Sequence, residues 1–257
     1  MKTIKLFQPL TARPARIFRA LTDPGDLAAW HADVVRGTVE EGRTLELSWP
    51  QLGAQLSLEI HKVIPGRKLV MQSELGQLEL AVERGGLELS HSFPFDEDRA
   101  AGTESSWRIT LALLSTYLSR HVDRKRRVHW AIARARATPE LCHAYFTEAN
   151  LLRTWLGNAE SSVGPAETEV RFSFGGRPAR GPVLANTAGR DVAIRWREAD
   201  DSVLALRTLP APDEPGTRYL LLGWSRWSDL PHAKEVEQEL DRAATRLAKR
   251  LDTIPLA

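Results

Sequence analysis

The spacing of apolar residues changes along the chain and predicts which elements it forms. Between positions 45 and 93, apolar and polar residues alternate, which is typical of antiparallel strands with one buried and one solvent-facing side. A short strand at 3–7 precedes two short helices, which begin at Pro14 and Pro24 because proline suits the first turn of a helix. The alternating apolar positions are Leu45, Leu47, Trp49, Leu56, Leu58, Ile60, Leu69, Met71, Leu78, Leu80, Val82, Leu87, Leu89 and Phe93.

Each half of the chain ends in a long amphipathic helix, and a polar segment at 96–102 is predicted as a loop before the first one. An apolar helix stripe must be covered, and the surface available for this is the buried face of the sheet. The sequence therefore predicts an α+β fold in which a curved antiparallel sheet wraps around a long C-terminal helix, with two short helices near the start. The two stripes consist of Trp107, Leu111, Leu114, Leu118 and Val122, and of Val236, Leu240, Ala243, Leu247 and Leu251.

The opening of the chain occurs twice. Residues 12–30 align without a gap on residues 137–155 after a shift of 125 positions, and Trp30 coincides with Trp155. A period near half the chain indicates two copies of one domain, because each copy is long enough to bury its own core. We predict domains at 1–126 and 127–257. Because the alternation is clean in the first copy and blurred in the second, we expect the first to hold a ligand and the second to serve packing or partner contact.

Composition and charge narrow the functional classes. The formal charge of +2 gives no electrostatic reason to expect a nucleic-acid partner. The single cysteine, Cys142, excludes an internal disulfide and suits a reducing compartment. No apolar segment approaches the roughly 20 residues that a transmembrane helix needs, and the N-terminus has no signal-peptide pattern. We therefore expect a cytoplasmic protein without an integral membrane segment.

Four motifs follow one another in the first copy: Thr-Asp-Pro at 22–24, Leu-x-x-Trp at 27–30, Val-Glu-Glu-Gly at 39–42 and Pro-Gly-Arg-Lys-Leu at 65–69. Together with the order of predicted elements, this set resembles the helix-grip fold of the START-like superfamily, also called SRPBCC. Within it, the set resembles the branch named after the activator of heat shock protein 90 ATPase. The resemblance covers nearly all of the first copy, and in the second it is strong only for residues 137–155.

This resemblance implies an elongated cavity between the sheet and the long helix. Similar domains use it to bind lipids, polyketides or other apolar small molecules, in some cases with catalysis, and others in the branch serve as co-chaperones. The fold therefore implies a cavity and leaves its contents open. We expect no cofactor.

Two polar residues are candidates for contact with a ligand in this cavity. His91 lies in phase with Leu89 and Phe93, so strand geometry directs its imidazole toward the core, where it could hydrogen-bond a ligand or act as a base. Ser73 is in phase with Met71 and could be a second polar group. The alternative is a core histidine that the protein itself satisfies.

Aromatic residues from three predicted elements could form the cavity wall. Trp30, Trp49 and Trp107 come from the second helix, the sheet and the long helix, and the predicted ligand site also includes Phe93 and Leu111. The alternative is that the rings fill the interior. In the second copy we take Trp155, Trp196, Phe172 and Phe174 as the counterparts.

The recurrence of histidine at 31, 61, 91 and 121 is interpreted as chance, because the four positions fall on unlike elements.

Sequence motifs for metal ligation, phosphate loops, serine nucleophiles and dinucleotide binding are all absent. No catalytic residue and no metal ligand is therefore predicted. Three hypotheses remain: a non-catalytic protein that binds an apolar or lipid-like ligand in the first domain, a protein-interaction adaptor of the co-chaperone kind, and a cyclase or hydrolase of a polyketide-like substrate. The third requires His91 to be catalytic.

Overall fold

A computed structural model describes residues 2–94 and 97–254 of the chain. The chain divides into two compact units, Met1–Arg126 and Arg127–Ala257. Each unit is a helix-grip domain with an antiparallel sheet, two short helices after the first strand and a long final helix. The tandem α+β architecture predicted from the repeat is confirmed.

The first unit forms one antiparallel sheet in the order β1-β7-β6-β5-β4-β3-β2. Its alternating residues explain the sheet, because Leu45, Leu47, Leu58 and Ile60 are all buried while their polar neighbours stay on the other face. The elements are β1 Lys2–Pro9, α1 Pro14–Thr22, α2 Pro24–Trp30, β2 Val34–Gly37, β3 Thr44–Trp49, β4 Ala54–Ile64, β5 Lys68–Ser73, β6 Gly76–Glu83, β7 Gly86–Phe93 and α3 Glu97–Arg120.

The second unit repeats this plan with the sheet order β8-β13-β12-β11-β10-β9. Among the described residues its sheet has six strands, whereas the first has seven; the short strand after the helices is replaced by a single bridge between Ala159 and Phe172. The elements are β8 Arg127–Arg136, α4 Pro139–Thr147, α5 Ala149–Leu152, β9 Glu169–Phe174, β10 Arg177–Thr187, β11 Asp191–Trp196, β12 Ser202–Pro210, β13 Thr217–Arg226 and α6 Ala233–Asp252.

The first long helix differs from the prediction at both ends. Residues 97–102 were predicted as a loop but begin α3, where Glu97 and Asp98 lie in the first turn and interact favourably with the helix dipole. Asp96 lies outside the described residues. Val122 was predicted on the apolar stripe, but α3 ends at Arg120 and Val122 is exposed.

Strand register gives a residue-by-residue match between the two sheets. The shift of 125 places Ile4 on His129, and these two residues pair with His91 and Trp224 respectively. Continuing across each sheet, equivalent strands pair in the same order. The matched positions are His91 and Trp224, Leu78 and Leu204, Met71 and Ile194, and Ser73 and Trp196.

This register corrects one expectation from the sequence. Trp196 was taken as a counterpart of the first-domain tryptophans, but it stands at the position of Ser73 on a different strand from Trp49. The shift of 125 places Trp49 on Phe174 instead, which lies on β9, the strand equivalent to β3. The polar pair of the first sheet, Ser73 and His91, is therefore a pair of tryptophans in the second.

Candidate functional site

The centre of the candidate site is a hydrogen bond between a histidine and a tryptophan in the first unit. His91 on β7 and Trp107 on α3 are 5% and 8% exposed. Indole Nε1 of Trp107 donates to Nδ1 of His91 at 3.0 Å. Because an indole nitrogen can only donate, Nδ1 must be the acceptor, and a neutral His91 therefore carries its proton on Nε2.

The second nitrogen of His91, Nε2, is buried and makes no hydrogen bond among the described residues. Burial lowers the pKa of His91, an effect that the backbone of Leu75 partly offsets without reaching hydrogen-bond geometry. The ring is thus a neutral buried donor whose N–H is not satisfied.

A second histidine packs among the three candidate tryptophans. The His31 ring stacks on Trp30 with 5.0 Å between ring centroids and lies 5.9 Å from Trp49 and 5.4 Å from Trp107. Desolvation in this aromatic setting, with a smaller effect of Arg126, lowers its pKa from 6.5 to about 3. His31 is therefore neutral at physiological pH.

Arg126 holds the turn after α2 in place. Its guanidinium donates to the carbonyl oxygens of Trp30 at 3.0 Å and of His31 at 3.3 Å, and to Asp33 Oδ1 at 3.0 Å. Burial lowers the pKa of Arg126 to about 10, while Asp33 opposes that shift. At neutral pH the pair carries no net charge, so the aromatic cluster has no unpaired charge at this end.

The structure brings the remaining candidates to the same region, with different roles. Phe93 lies 5.0 Å from His91 edge to face, and Leu111 is buried one helical turn beyond Trp107. Ser73 instead stabilises the turn between β5 and β6, because its hydroxyl accepts from Leu75 N at 3.1 Å. Its hydroxyl is therefore engaged by the turn.

Sequence reasoning did not identify His31, which was assigned to a chance spacing. In the structure it joins the cluster because it is the residue at which α2 ends, immediately after Trp30. The sequence carries no signal that separates His31 from His61, whose side chain is exposed. Only the packing of α2 against the sheet and α3 distinguishes them.

The second unit contains a cavity of about 220 Å³ between its sheet and the start of α6. Trp196 and Trp224 form its aromatic wall, with ring centroids 6.0 Å apart. Both indole nitrogens are satisfied, because Trp196 donates to the Pro178 carbonyl at 3.1 Å and Trp224 to Ser202 Oγ at 2.9 Å. The cavity is lined by Arg177, Pro178, Trp196, Glu198, Ala199, Trp224, Leu230, Pro231, His232 and Val236.

Two further properties concern residues 2–94 and 97–254. No group of three or more histidine, cysteine, aspartate or glutamate side chains there could hold a metal ion. No helix in these ranges is long and apolar enough to cross a membrane.

Residues 11–119 match the family model described as Activator of Hsp90 ATPase homolog 1-like protein. The match lies within the first domain, which is similar to this family. The matched segment of the Hsp90-activator-homolog-like domain includes all seven predicted site residues and His31, whereas Arg126 lies beyond it. No curated protein matches the chain.

Three solved structures are similar to parts or to nearly all of the chain. The Aha1 dimer from Colwellia psychrerythraea is 21% identical and aligns over 46% of this chain and 96% of its own, with a TM-score of 0.42. DynU16, a putative protein in the dynemicin biosynthetic locus, is 17% identical over 96% of both chains, with a TM-score of 0.43. The di-domain ARO/CYC BexL from the BE-7585A biosynthetic pathway is 10% identical over 99% of this chain and 100% of its own, with a TM-score of 0.44.

Proposed function

We propose that the first, Hsp90-activator-homolog-like domain binds a neutral and mainly apolar small molecule whose hydrogen-bond acceptor meets Nε2 of His91. The observation that carries this proposal is the buried Nε2 of His91, which makes no hydrogen bond among the described residues, although the Leu75 backbone is near enough to raise its pKa. A carbonyl, ether or hydroxyl oxygen on the ligand would satisfy it.

The energetic case rests on the cost of that unsatisfied donor. A buried polar group without a partner costs about 1–3 kcal/mol, so a ligand oxygen placed at Nε2 would recover free energy of that order. Phe93 and Trp107 pack against His91, so the surroundings of its ring are aromatic, which suits an apolar ligand.

Charge supports a neutral ligand. Burial lowers the pKa of both His91 and His31, so neither ring offers a positive charge at neutral pH. The one buried cation at this end, Arg126, is paired with Asp33 at 3.0 Å. An anionic ligand would lose its hydration without gaining a free cation in return.

Several functional expectations stay predictions. These are the co-chaperone type of adaptor, the polyketide-type cyclase or hydrolase, and the cytoplasmic location. A cyclase would use the same histidine, so experiments on His91 bear on that alternative as well.

The test uses Prodan, a neutral naphthalene that carries one ketone oxygen, as the probe. Wild-type protein should bind it and shift its fluorescence, and His91→Leu should weaken binding by about tenfold because one hydrogen bond of roughly 1.4 kcal/mol is lost. His61→Leu is the matched control, because His61 is exposed on β4.

The double variant His91→Leu/Trp107→Phe guards against an unfolded single variant, because it removes both partners of the bond and leaves neither buried group unsatisfied. Unchanged Prodan affinity in a folded His91 variant would refute the proposal. Failure of wild-type protein to bind Prodan or any neutral ketone of similar size would also refute it.

A further inference from the structure

The aromatic cavity of the second unit lies where its side chains differ from those at the matched positions of the first unit. In the first unit Trp107 on the long helix contacts His91 on β7. In the second unit the position of His91 is Trp224, and the α6 residue that lines the cavity with it is Val236. Valine is smaller than tryptophan, so Val236 fills less of the space next to the sheet than an indole would fill there.

The walls of this cavity favour a flat ring. The indoles of Trp196 and Trp224 are 3% and 0% exposed, and their planes are inclined by 40°. Both N–H groups are already satisfied, so the only surface that Trp196 can offer to an occupant is aromatic. Leu230, Pro231 and Val236 complete the apolar lining.

The rim carries one weakly paired cation. The carboxylate of Glu198 accepts a hydrogen bond from the backbone N–H of Arg180 at 3.0 Å. Nδ1 of His232 lies 3.0 Å from Oε2 of Glu235. Arg177, by contrast, reaches Glu235 only at 4.0 Å, the long limit of an ion pair. Its planar guanidinium matches a carboxylate in a two-point contact.

We propose that this cavity binds a small aromatic carboxylate, with its ring beside Trp196 and its carboxylate on Arg177. The volume of about 220 Å³ fits one substituted ring or two fused rings, since a cavity of about 150 Å³ is enough for benzene. This site is separate from His91 and takes a ligand of opposite character, an anion instead of a neutral molecule. It assigns ligand binding to the domain that the sequence pattern suggested for packing or partner contact.

The test is isothermal titration calorimetry of the full chain with naphthoate and with its neutral analogue naphthamide. Wild-type protein should bind naphthoate, and Arg177→Gln should weaken it by about tenfold, the effect of one charge-assisted hydrogen bond in a partly exposed position. The same variant should leave naphthamide affinity unchanged. Arg171→Gln is the matched control, because Arg171 is an exposed arginine on β9 that does not line the cavity.

A second pair of variants fills the cavity. Val236→Trp should abolish binding of both probes, and Val236→Phe gives the same test with a smaller side chain if the tryptophan prevents folding. The proposal is overturned if naphthoate gives no heat of binding up to its solubility limit. It is equally overturned if folded Val236 variants bind with wild-type affinity, or if Arg177→Gln weakens both probes alike.

Discussion

The hydrogen bond between Trp107 and His91 should couple the stability effects of the two residues. His91→Leu removes the acceptor of the Trp107 N–H, which is buried and then has no partner. It also removes the unsatisfied Nε2–H of His91, and these two effects nearly cancel. The net loss is therefore that of the bond itself, about 1 kcal/mol in the free energy of unfolding.

Trp107→Phe should lower the free energy of unfolding less in a His91→Leu background than in the wild type. In the wild type it leaves Nδ1 of His91 buried without a donor, whereas in the His91→Leu background it removes an unsatisfied donor. The coupling free energy between the two substitutions should therefore be about 1–3 kcal/mol. Urea denaturation followed by circular dichroism of the four proteins in this double-mutant cycle measures it.

A control cycle combines His91→Leu with Trp224→Phe, which lies in the other unit and donates to Ser202 instead. The two residues share no partner, so the effects of the two substitutions on the free energy of unfolding should be additive to within about 0.5 kcal/mol. If the His91 and Trp107 changes also add to within that limit, the reasoning that assigns the tautomer and the unsatisfied nitrogen is refuted.

Three further predictions concern the first domain. His31 has a pKa of about 3 in the folded state against 6.5 in the unfolded chain. Below pH 6.5 only the unfolded state takes up the proton, so the free energy of unfolding falls by up to about 1.4 kcal/mol per pH unit. Denaturation between pH 7 and pH 4 should show a smaller dependence of this free energy on pH for His31→Phe, and an equal dependence would contradict the prediction. Asp26→Asn should destabilise by about 3 kcal/mol, because the buried carboxylate accepts from Arg16 and Tyr117; a thermal midpoint equal to that of wild type would count against it. Gly76→Ala should cost more than about 1 kcal/mol, since its φ is 114° and an added Cβ would lie 2.2 Å from the Ser92 carbonyl oxygen; a denaturation midpoint unchanged from wild type would exclude that clash.

The sequence was sufficient for the fold because its information is local. Alternation with period two, prolines at helix starts and the repeated Trp30 and Trp155 each predict an element or a copy without knowledge of distant contacts. The burial of His91 followed from the same period. The start of α3 did not, because the charges at Glu97 and Asp98 suit either a loop or a helix N-terminus.

The site could be predicted only in part, because its chemistry depends on contacts between elements. Nothing in the sequence shows that Trp107 donates to His91, or that Ser73 stabilises a turn. The cavity of the second unit depends on strand register, which places Trp224 at the position of His91, whereas the shift of 125 would place Gly216 there. Linear spacing cannot supply that register.

The central claim is that the Nε2–H of His91 donates to a neutral ligand, and the stretching frequency of the bound ligand's carbonyl tests it most directly. Infrared difference spectra of Prodan carrying a ¹³C-labelled ketone should show a lowered frequency on wild-type protein, because a hydrogen bond weakens the C=O bond. His91→Leu/Trp107→Phe should restore the frequency seen in an apolar solvent. The same frequency on both proteins, at concentrations where both bind Prodan, would contradict the account.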